Sequence, residues 1–246
     1  MRLDRYLSTN SIYSRSDIAK LVRSARITVN SELARGVGQK IRPQLDHICI
    51  DGAHVAELFD VYLMMNKPQG FVSANTDSGQ PTAIDLIREK FVSSYSALLL
   101  SRLQIVGRLD KDTTGLLLLT TNGDWNHRIT APSSQCAKRY LVTTDCVISN
   151  ETITAFTRGI VLKNETKPTK PAELELIHEH CGIVTIEEGK YHQVKRMFAA
   201  CGNHVEALHR LSIGGIALDY SLKQGEYRHL TTTEIDSVES ATKRQA

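Results

Sequence analysis

The sequence lacks the long apolar run that a membrane-spanning helix requires. Such a helix needs roughly 18 or more consecutive apolar residues, and no segment of the 246-residue chain approaches that length. The chain begins Met-Arg-Leu-Asp-Arg, and no apolar core of a signal peptide follows. We therefore expect a cytoplasmic protein that does not associate with a membrane.

Paired cysteines and common cofactor motifs are also missing. The five cysteines are scattered and form no Cys-x-x-Cys pair, which argues against a disulfide framework or a zinc site. There is no P-loop, no dinucleotide-binding fingerprint and no internal repeat. The spacing of His192, His204 and His209 matches no metal-binding motif. We therefore expect neither a bound metal nor a small-molecule cofactor.

Positive charge is concentrated near the N-terminus. Residues 1–58 contain nine basic and six acidic residues, whereas the rest of the chain contains 21 of each. Residues Leu3, Tyr6 and Leu7 have helical spacing, and Ser14 begins a second amphipathic helix. The polar positions of that second helix include Arg15, Lys20 and Arg23. A basic segment attached to a neutral body indicates a small domain, residues 1–58, that binds a polyanion.

The remainder of the chain predicts a second, larger domain. Residues 61–236 alternate short apolar strands with short helices, which favours an α+β fold around a mixed, mainly antiparallel sheet. Residues 237–246 are polar and are expected to form a frayed tail.

The most informative stretch is residues 106–124, a charged loop followed by an apolar strand. Two glycines, Gly107 and Gly115, bracket a loop that carries the carboxylates Asp110 and Asp112. The run Leu116 to Leu119 is continuous rather than alternating, which is typical of a strand buried on both faces. A charged loop anchored to such a strand could hold a carboxylate in a cleft. From spacing alone, an ordinary surface turn with solvated charges is equally compatible.

Three further motifs accompany this stretch in the order that one family shows. The run Gly-Arg-Leu-Asp-x-Asp-Thr-Thr-Gly-Leu resembles the catalytic motif of the RsuA-type pseudouridine synthases. The piece Asn-Lys-Pro-x-Gly at residues 66–70 resembles the first motif of that family. Lys-Arg-Tyr at 138–140 resembles its tyrosine motif, and residues 188–197 resemble its third motif. The resemblance covers roughly residues 1–236, and residues 191–218 resemble the members that act on small-subunit rRNA.

The resemblance implies an architecture and an activity. The basic segment resembles an S-four-type RNA-binding module, followed by a pseudouridine-synthase catalytic domain. The expected reaction converts one uridine of 16S rRNA, by resemblance uridine 516, into pseudouridine without a cofactor. Expected partners are small-subunit rRNA or its assembly intermediate with ribosomal proteins, and the protein is expected to be a monomer.

Site residues follow from the matched positions. The resemblance implies Asp110 as the nucleophile, Tyr140 as the active-site tyrosine, and Lys195 as the cation that faces Asp110. Many relatives have Arg at the position of Lys195, and Arg196 is the competing candidate. Residues implied in substrate or RNA binding are Arg108, Lys190, Gln193, Arg196 and Leu208, together with Arg15, Lys20 and Arg23 of the N-terminal module.

Three alternative functions remain open at this stage. The chain could act on large-subunit (23S) rRNA, or it could be a catalytically idle RNA-binding or ribosome-assembly protein. The presence of Asp110, Tyr140 and a basic residue at 195 favours catalysis over the idle protein. An N-glycosidase that releases uracil would need an activated water, and no second carboxylate is obviously placed to activate one.

Overall fold

In the computed structural model, which describes residues 1–94, 97–131 and 134–243, the chain divides into two units. The first unit comprises residues 1–60 and the described part of the segment 96–101, and the second comprises the remainder. The grouping of residues 97–101 with the N-terminal unit was not predicted, because periodicity reports local structure and not long-range association.

The N-terminal unit contains two helices and a four-stranded antiparallel sheet. Its elements are α1 Leu3–Asn10, α2 Arg15–Arg23, β1 Ile27–Val29, β2 Glu32–Leu33, β3 Ile48–Ile50 and β4 Ala53–His54, with strand order β2-β1-β3-β4. A reciprocal capping box between Ser14 and Asp17 begins α2. The apolar faces of both helices join the sheet in one core. The polar face of α2 therefore leaves Arg15, Lys20 and Arg23 exposed.

The larger unit is built around a nine-stranded sheet. Its strands are β5 Tyr62–Lys67, β6 Gln104–Val106, β7 Thr114–Thr120, β8 Lys138–Thr144, β9 Glu173–His178, β10 Cys181–Ile186, β11 Val205–Ile213, β12 Ile216–Ala217 and β13 Tyr227–His229. The main order is β13-β5-β7-β11-β8-β10-β9, with β6 paired to β7 and β12 paired to β11. Of the strand pairs described, β7–β11 is parallel and the others are antiparallel. The predicted α+β class with a mixed, mainly antiparallel sheet is confirmed.

The helices complete the chain as α3 Asp85–Ser94, α4 Ala97–Arg102, α5 Gly123–Thr130, α6 Asn150–Arg158, α7 Gln193–Ala200 and α8 Thr232–Lys243. The prediction of a polar tail from residue 237 was wrong for much of its length. Helix α8 continues through Lys243, and Val238 is buried in a cluster that includes Trp125 and Ile213. Val238 is a single apolar residue among polar neighbours, which is too weak a pattern to predict a packed helix from the sequence. Within the described ranges, no helix has the length and apolar character needed to cross a membrane.

The parallel contact between β7 and β11 requires a glycine. Gly115 is paired with Arg210 and has a φ of +97°. A Cβ atom at this position would lie against the carbonyl oxygen of Arg210 and 2.8 Å from its nitrogen. Because glycine has no Cβ, the two backbones can approach at the point where the loop before β7 begins. This junction positions the loop at residues 107–113 beside β11.

Candidate active site

The loop between β6 and β7 is a tight, internally bonded turn that carries Asp110. The amide of Thr113 donates to the carbonyl of Asp110 at 3.1 Å, and the amide of Gly70 donates to the carbonyl of Lys111 at 2.9 Å. The hydroxyl of Ser73 donates to the carbonyl of Leu109 at 2.8 Å. These bonds satisfy backbone groups that a loop would otherwise leave to water, so the turn is held rigidly.

A fully buried lysine binds this turn from the end of β5. Lys67 is 0% exposed. Its ammonium donates to the carbonyls of Thr113 at 2.9 Å, Pro68 at 3.0 Å, Asp110 at 3.1 Å and Lys111 at 3.4 Å. Burial lowers the pKa of Lys67 to about 8, opposed by the nearby negative charges of Asp112 and Asp110. Lys67 therefore fixes the backbone of the loop that carries the Asp110 side chain.

A buried arginine binds the other side of the loop. Arg210, on β11, is 2% exposed. Its guanidinium donates to the carbonyls of Leu116 at 2.7 Å, Gly107 at 2.9 Å and Arg108 at 3.3 Å. The planar, multiply donating guanidinium suits several fixed acceptors at once. The sequence offers a weak signal for Lys67 alone, a lysine at the end of the mostly apolar strand β5.

The Asp110 carboxylate faces residues at the start of α7. Its Oδ1 atom lies 3.3 Å from Nε2 of His192, and its Oδ2 atom lies 3.7 Å from Nζ of Lys195. His192 has a left-handed backbone, with φ of +47°, and its ring stacks on Tyr191 at a centroid distance of 3.8 Å. Between the two competing cations, the structure thus places Lys195 beside Asp110. The sequence had excluded His192 only as part of a metal-binding motif, and its approach to Asp110 was not foreseen.

Lys195 contacts the second carboxylate of the loop more closely than the first. Its ammonium forms a hydrogen-bonded ion pair with Oδ1 of Asp112. Burial alone raises the pKa of Asp112, but the hydrogen bond and the charge of Lys195 outweigh that effect and lower it below its ordinary value. Lys195 therefore contacts both carboxylates of the loop. The sequence analysis had paired it only with Asp110.

A small cavity of ≈ 80 Å³ opens in front of Asp110. Tyr140 and Leu208 line it on neighbouring strands, and they are 8% and 7% exposed respectively. Further lining residues are Arg108, Leu109, Thr113, Ile186, Gly189, Lys190, His192, Gln193 and Val194. The cavity combines a carboxylate, an aromatic ring and apolar walls. This combination can hold a flat heterocycle with a sugar carbon beside the carboxylate.

A wider cleft of ≈ 710 Å³ shares Arg108, Asp110 and Tyr140 with the cavity. Its lining contains five basic side chains, Arg108, Lys138, Lys170, Lys190 and Arg210, and three acidic ones, Asp110, Glu187 and Glu188. The excess of positive charge favours a polyanion in the region around the cavity.

Several of the residues predicted to bind RNA also have partners within the protein, among them Gln193 and Arg196. Gln193 is only 4% exposed, accepts from the amide of Lys190 at 2.9 Å and donates to Glu188 at 2.8 Å. Gln193 lines the cavity and its amide group also supports the cavity wall, so RNA contact by Gln193 stays a prediction. Arg196 pairs with Glu165 at 2.8 Å and donates to the carbonyl of Lys163 at 2.8 Å.

The remaining predicted contacts are placed as follows. Lys190 lines both the cavity and the cleft and forms an ion pair with Glu165. Arg108 lines both and is exposed. Arg15, Lys20 and Arg23 belong to the N-terminal unit, where all three are exposed.

Comparisons with known proteins identify the family of this chain. The family model for RNA pseudouridylate synthases matches residues 61–200. The chain is 44% identical over 239 residues to ribosomal small subunit pseudouridine synthase A of Escherichia coli K12, covering 97% of this chain and 100% of the relative. It is 42% identical to the Haemophilus influenzae protein of the same name, covering 97% of this chain and 99% of the relative. A crystal structure of a pseudouridylate synthase superposes with a TM-score of 0.68 at 40% identity, covering 97% of this chain and 99% of the other. The chain therefore belongs to the RNA pseudouridylate synthase family, as its motifs predicted.

Proposed function

We propose that this protein converts a uridine of small-subunit rRNA into pseudouridine, with Asp110 as the nucleophile. The observation that supports this most strongly is the Asp110 carboxylate at a cavity shared with Tyr140 and Leu208 and paired with Lys195. The relatives described above are named as small-subunit enzymes, which favours 16S over 23S rRNA. By resemblance, the target is uridine 516 of that rRNA.

The reaction we assign to the site is an isomerisation. The target uridine is flipped out of the RNA stack into the cavity. An oxygen of Asp110 forms a bond to C1′ of the ribose while the C1′–N1 bond breaks and its electron pair leaves with the uracil. The uracil turns, C5 forms a bond to C1′, and Asp110 leaves as a carboxylate. N1 gains a proton and C5 loses one, so substrate and product have the same composition.

The residues around Asp110 divide the remaining tasks. Lys195 orients the carboxylate between attack and departure. Tyr140 offers a flat ring to stack on the uracil and a hydroxyl near the carbon that loses its proton. Leu208 packs on the base, and the apolar wall keeps water from the intermediate.

We assign RNA binding to both units. Residues 1–58 act as an S-four-type module whose Arg15, Lys20 and Arg23 bind phosphates, and residues 61–236 form the catalytic domain with Arg108 and Lys190 along its basic cleft. The enzyme acts as a monomer on rRNA or on a partly assembled subunit that carries ribosomal proteins. That substrate places the enzyme in the cytoplasm.

The two carboxylates of the loop provide a matched test of the nucleophile. We expect Asp110→Asn to abolish the single-turnover release of tritium from 5-tritiated uridine in 16S rRNA, while RNA binding and the thermal melt are retained. Asp112→Asn removes the same charge two residues away and should retain most of the rate, because Asp112 does not line the small cavity. Turnover by a pure Asp110→Asn protein would remove Asp110 from the mechanism.

The choice of rRNA is tested separately in cells that lack the gene. Pseudouridine mapping should find one site absent from small-subunit rRNA and none absent from large-subunit rRNA. A site that disappears only from large-subunit rRNA would reject the proposed substrate and leave the assigned chemistry intact.

A further inference from the structure

Three side chains with metal-ligating atoms converge in the N-terminal unit, at the hairpin of β3 and β4. His47 precedes β3, Cys49 lies within it, and His54 ends β4. Their ligand atoms all lie within 4.8 Å of one another. None of the three residues lines the cavity in front of Asp110, so the assigned reaction leaves them without a role.

The backbone of the hairpin brings these residues together. Cys49 and His54 are direct cross-strand partners. His47 lies two residues before Cys49, and in an extended chain such residues project from the same face. The turn residues Asp51 and Gly52 have positive φ angles of +51° and +78°, which suit a two-residue hairpin.

The segment that carries His47 is also fixed. The amide of His47 donates to Oδ1 of Asn30 at 2.8 Å, and its carbonyl accepts from the amide of Asn30 at 2.8 Å. The convergence of the three side chains therefore rests on ordered backbone rather than on chance side-chain contact.

The distance between the ligand atoms of Cys49 and His47 suits tetrahedral coordination. Sγ of Cys49 lies 3.4 Å from Nδ1 of His47. Typical Zn–S and Zn–N bonds at a tetrahedral angle place the two ligand atoms about 3.6 Å apart. Nδ1 of His54 lies 3.2 Å from the carbonyl oxygen of Ile48, so this nitrogen carries the proton and Nε2 is left as the acceptor. A donated bond from one imidazole nitrogen to a backbone carbonyl is the usual support of a metal-bound histidine.

The surroundings allow an ion to enter. The thiol of Cys49 is nearly buried, whereas both histidines are exposed. The two imidazole rings stack with centroids 4.4 Å apart and an angle of 7° between their planes. A shared ion requires these rings to fan apart, and exposed side chains can rotate freely enough to do so.

We propose that His47, Cys49 and His54 bind one Zn²⁺ ion through two imidazole nitrogens and a thiolate, with water as the fourth ligand. Thiolate and imidazole ligands favour Zn²⁺ over Mg²⁺ or Ca²⁺, which prefer oxygen. Binding releases the thiol proton of Cys49. The ion links both strands of the hairpin and therefore stabilises the N-terminal unit.

The test uses the untagged full-length protein after chelator treatment. Zn²⁺ is titrated in competition with a chromophoric chelator, and Co²⁺ is added separately as a spectroscopic probe. We expect one Zn²⁺ per chain, a rise in melting temperature, and a thiolate-to-Co²⁺ charge-transfer band with visible bands typical of tetrahedral cobalt. Failure to compete for Zn²⁺ at micromolar concentration would overturn the proposal.

Variants locate the site. His47→Gln and His54→Gln should each weaken Zn²⁺ binding by more than the roughly 10- to 100-fold that loss of a supporting partner costs. Cys49→Ser should also remove the charge-transfer band. Two matched controls, Cys146→Ser and His178→Gln, change exposed residues outside the group and should bind as the wild type does.

If Cys49→Ser does not fold, the two histidine variants still test the proposal, because both histidines are exposed. The metal-free melts of His47→Gln and His54→Gln should match that of the metal-free wild type, because neither imidazole is buried. Wild-type Zn²⁺ affinity in both folded histidine variants would overturn the assignment.

Discussion

At the scale of single residues, Lys195 is the side chain on which the electrostatics of the site depend. Its ammonium lies 3.7 Å from Asp110 and in a hydrogen-bonded ion pair with Asp112. Arg196, its neighbour on α7, is turned toward Glu165. Adjacent residues of a helix point about 100° apart, so only one of them can face the loop. The two positions therefore provide a matched pair for mutagenesis.

We predict that Lys195→Met lowers the single-turnover rate on bound rRNA by about 100-fold or more, as does loss of one well-placed charge-stabilising group. Methionine keeps much of the side-chain stem and removes the charge. Lys195→Arg should lose much less, because the cation is retained. The pKa of Asp112 should rise toward its ordinary value in Lys195→Met, because its largest lowering influence has gone.

Arg196→Met is the control for that prediction. It breaks contacts with Glu165 and with the carbonyl of Lys163, and should change the rate on bound RNA by less than Lys195→Met does. If Arg196→Met stops turnover of bound RNA and Lys195→Met does not, Lys195 is not the functional cation.

The shifted pKa of Lys67 predicts how the free energy of unfolding depends on pH. Its pKa is about 8 in the folded protein, against 10.5 for an unperturbed lysine. Between these values the unfolded chain holds the proton and the folded protein has lost it, so this residue makes stability rise with pH from about 8 to 10.5. The limiting size is about 3 kcal/mol. Urea unfolding of the wild type and of Lys67→Met at several pH values isolates this contribution as the difference between the two slopes, and equal slopes would contradict it.

At the scale of secondary-structure elements, the junction of β7 and β11 determines where the loop is held. We predict that Gly115→Ala destabilises the protein by about 2–5 kcal/mol. An alanine with positive φ costs about 1–2 kcal/mol, and overpacking against the backbone of Arg210 adds about 1–3 kcal/mol.

Gly123→Ala is the control, since Gly123 begins α5 and has nothing within 4 Å of its added Cβ. It should be neutral or stabilising by up to about 1 kcal/mol. Equal melting temperatures for the two variants would contradict the proposed close approach.

Element-level features were predictable where local pattern determines them. The continuous run Leu116 to Leu119 correctly predicted a strand buried on both faces, and Ser14 correctly predicted the start of α2. The loop carboxylates and Tyr140 were found by motif. These signals are contained within a few consecutive residues.

Features that depend on distant partners were not predictable. Three of the four partners of Lys67 are backbone carbonyls more than 40 positions away, and carbonyls leave no mark in a sequence. The position of Gln193 in the motif likewise does not show that its amide group bonds to Lys190 and Glu188. The irregular spacing of His47, Cys49 and His54 matches no metal motif, and only the register of the β3–β4 hairpin brings them together.

At the scale of the whole molecule, charge is divided between a basic N-terminal segment and a neutral remainder. Arg15, Lys20 and Arg23 are exposed on one helix. The ion pair of Lys20 with Asp17 spans 3.6 Å on the surface, and such pairs contribute little, so this lysine remains able to contact phosphate. Because residues 97–101 group with the N-terminal unit, deleting residues 1–60 would remove only part of that unit. Charge removal is therefore a cleaner test of the module than truncation.

We predict that the triple variant Arg15→Gln, Lys20→Gln, Arg23→Gln weakens rRNA binding and flattens its salt dependence. Each phosphate that is no longer neutralised should reduce the slope of log affinity against log salt by about 0.7 to 0.9, so the three substitutions together should reduce it by about 2 to 3. The rate at saturating RNA should be unchanged, because the catalytic loop and its partners belong to the other unit.

The control variant removes three exposed positive charges from the larger unit and so changes the net charge equally. Its substitutions are Arg158→Gln, Lys167→Gln and Lys223→Gln. This variant should alter the slope by less, since none of its residues lines the small cavity or the basic cleft. An unchanged slope in the first variant would mean that the basic helix does not bind the phosphate backbone, and an equal change in both would mean that net charge rather than the module governs binding.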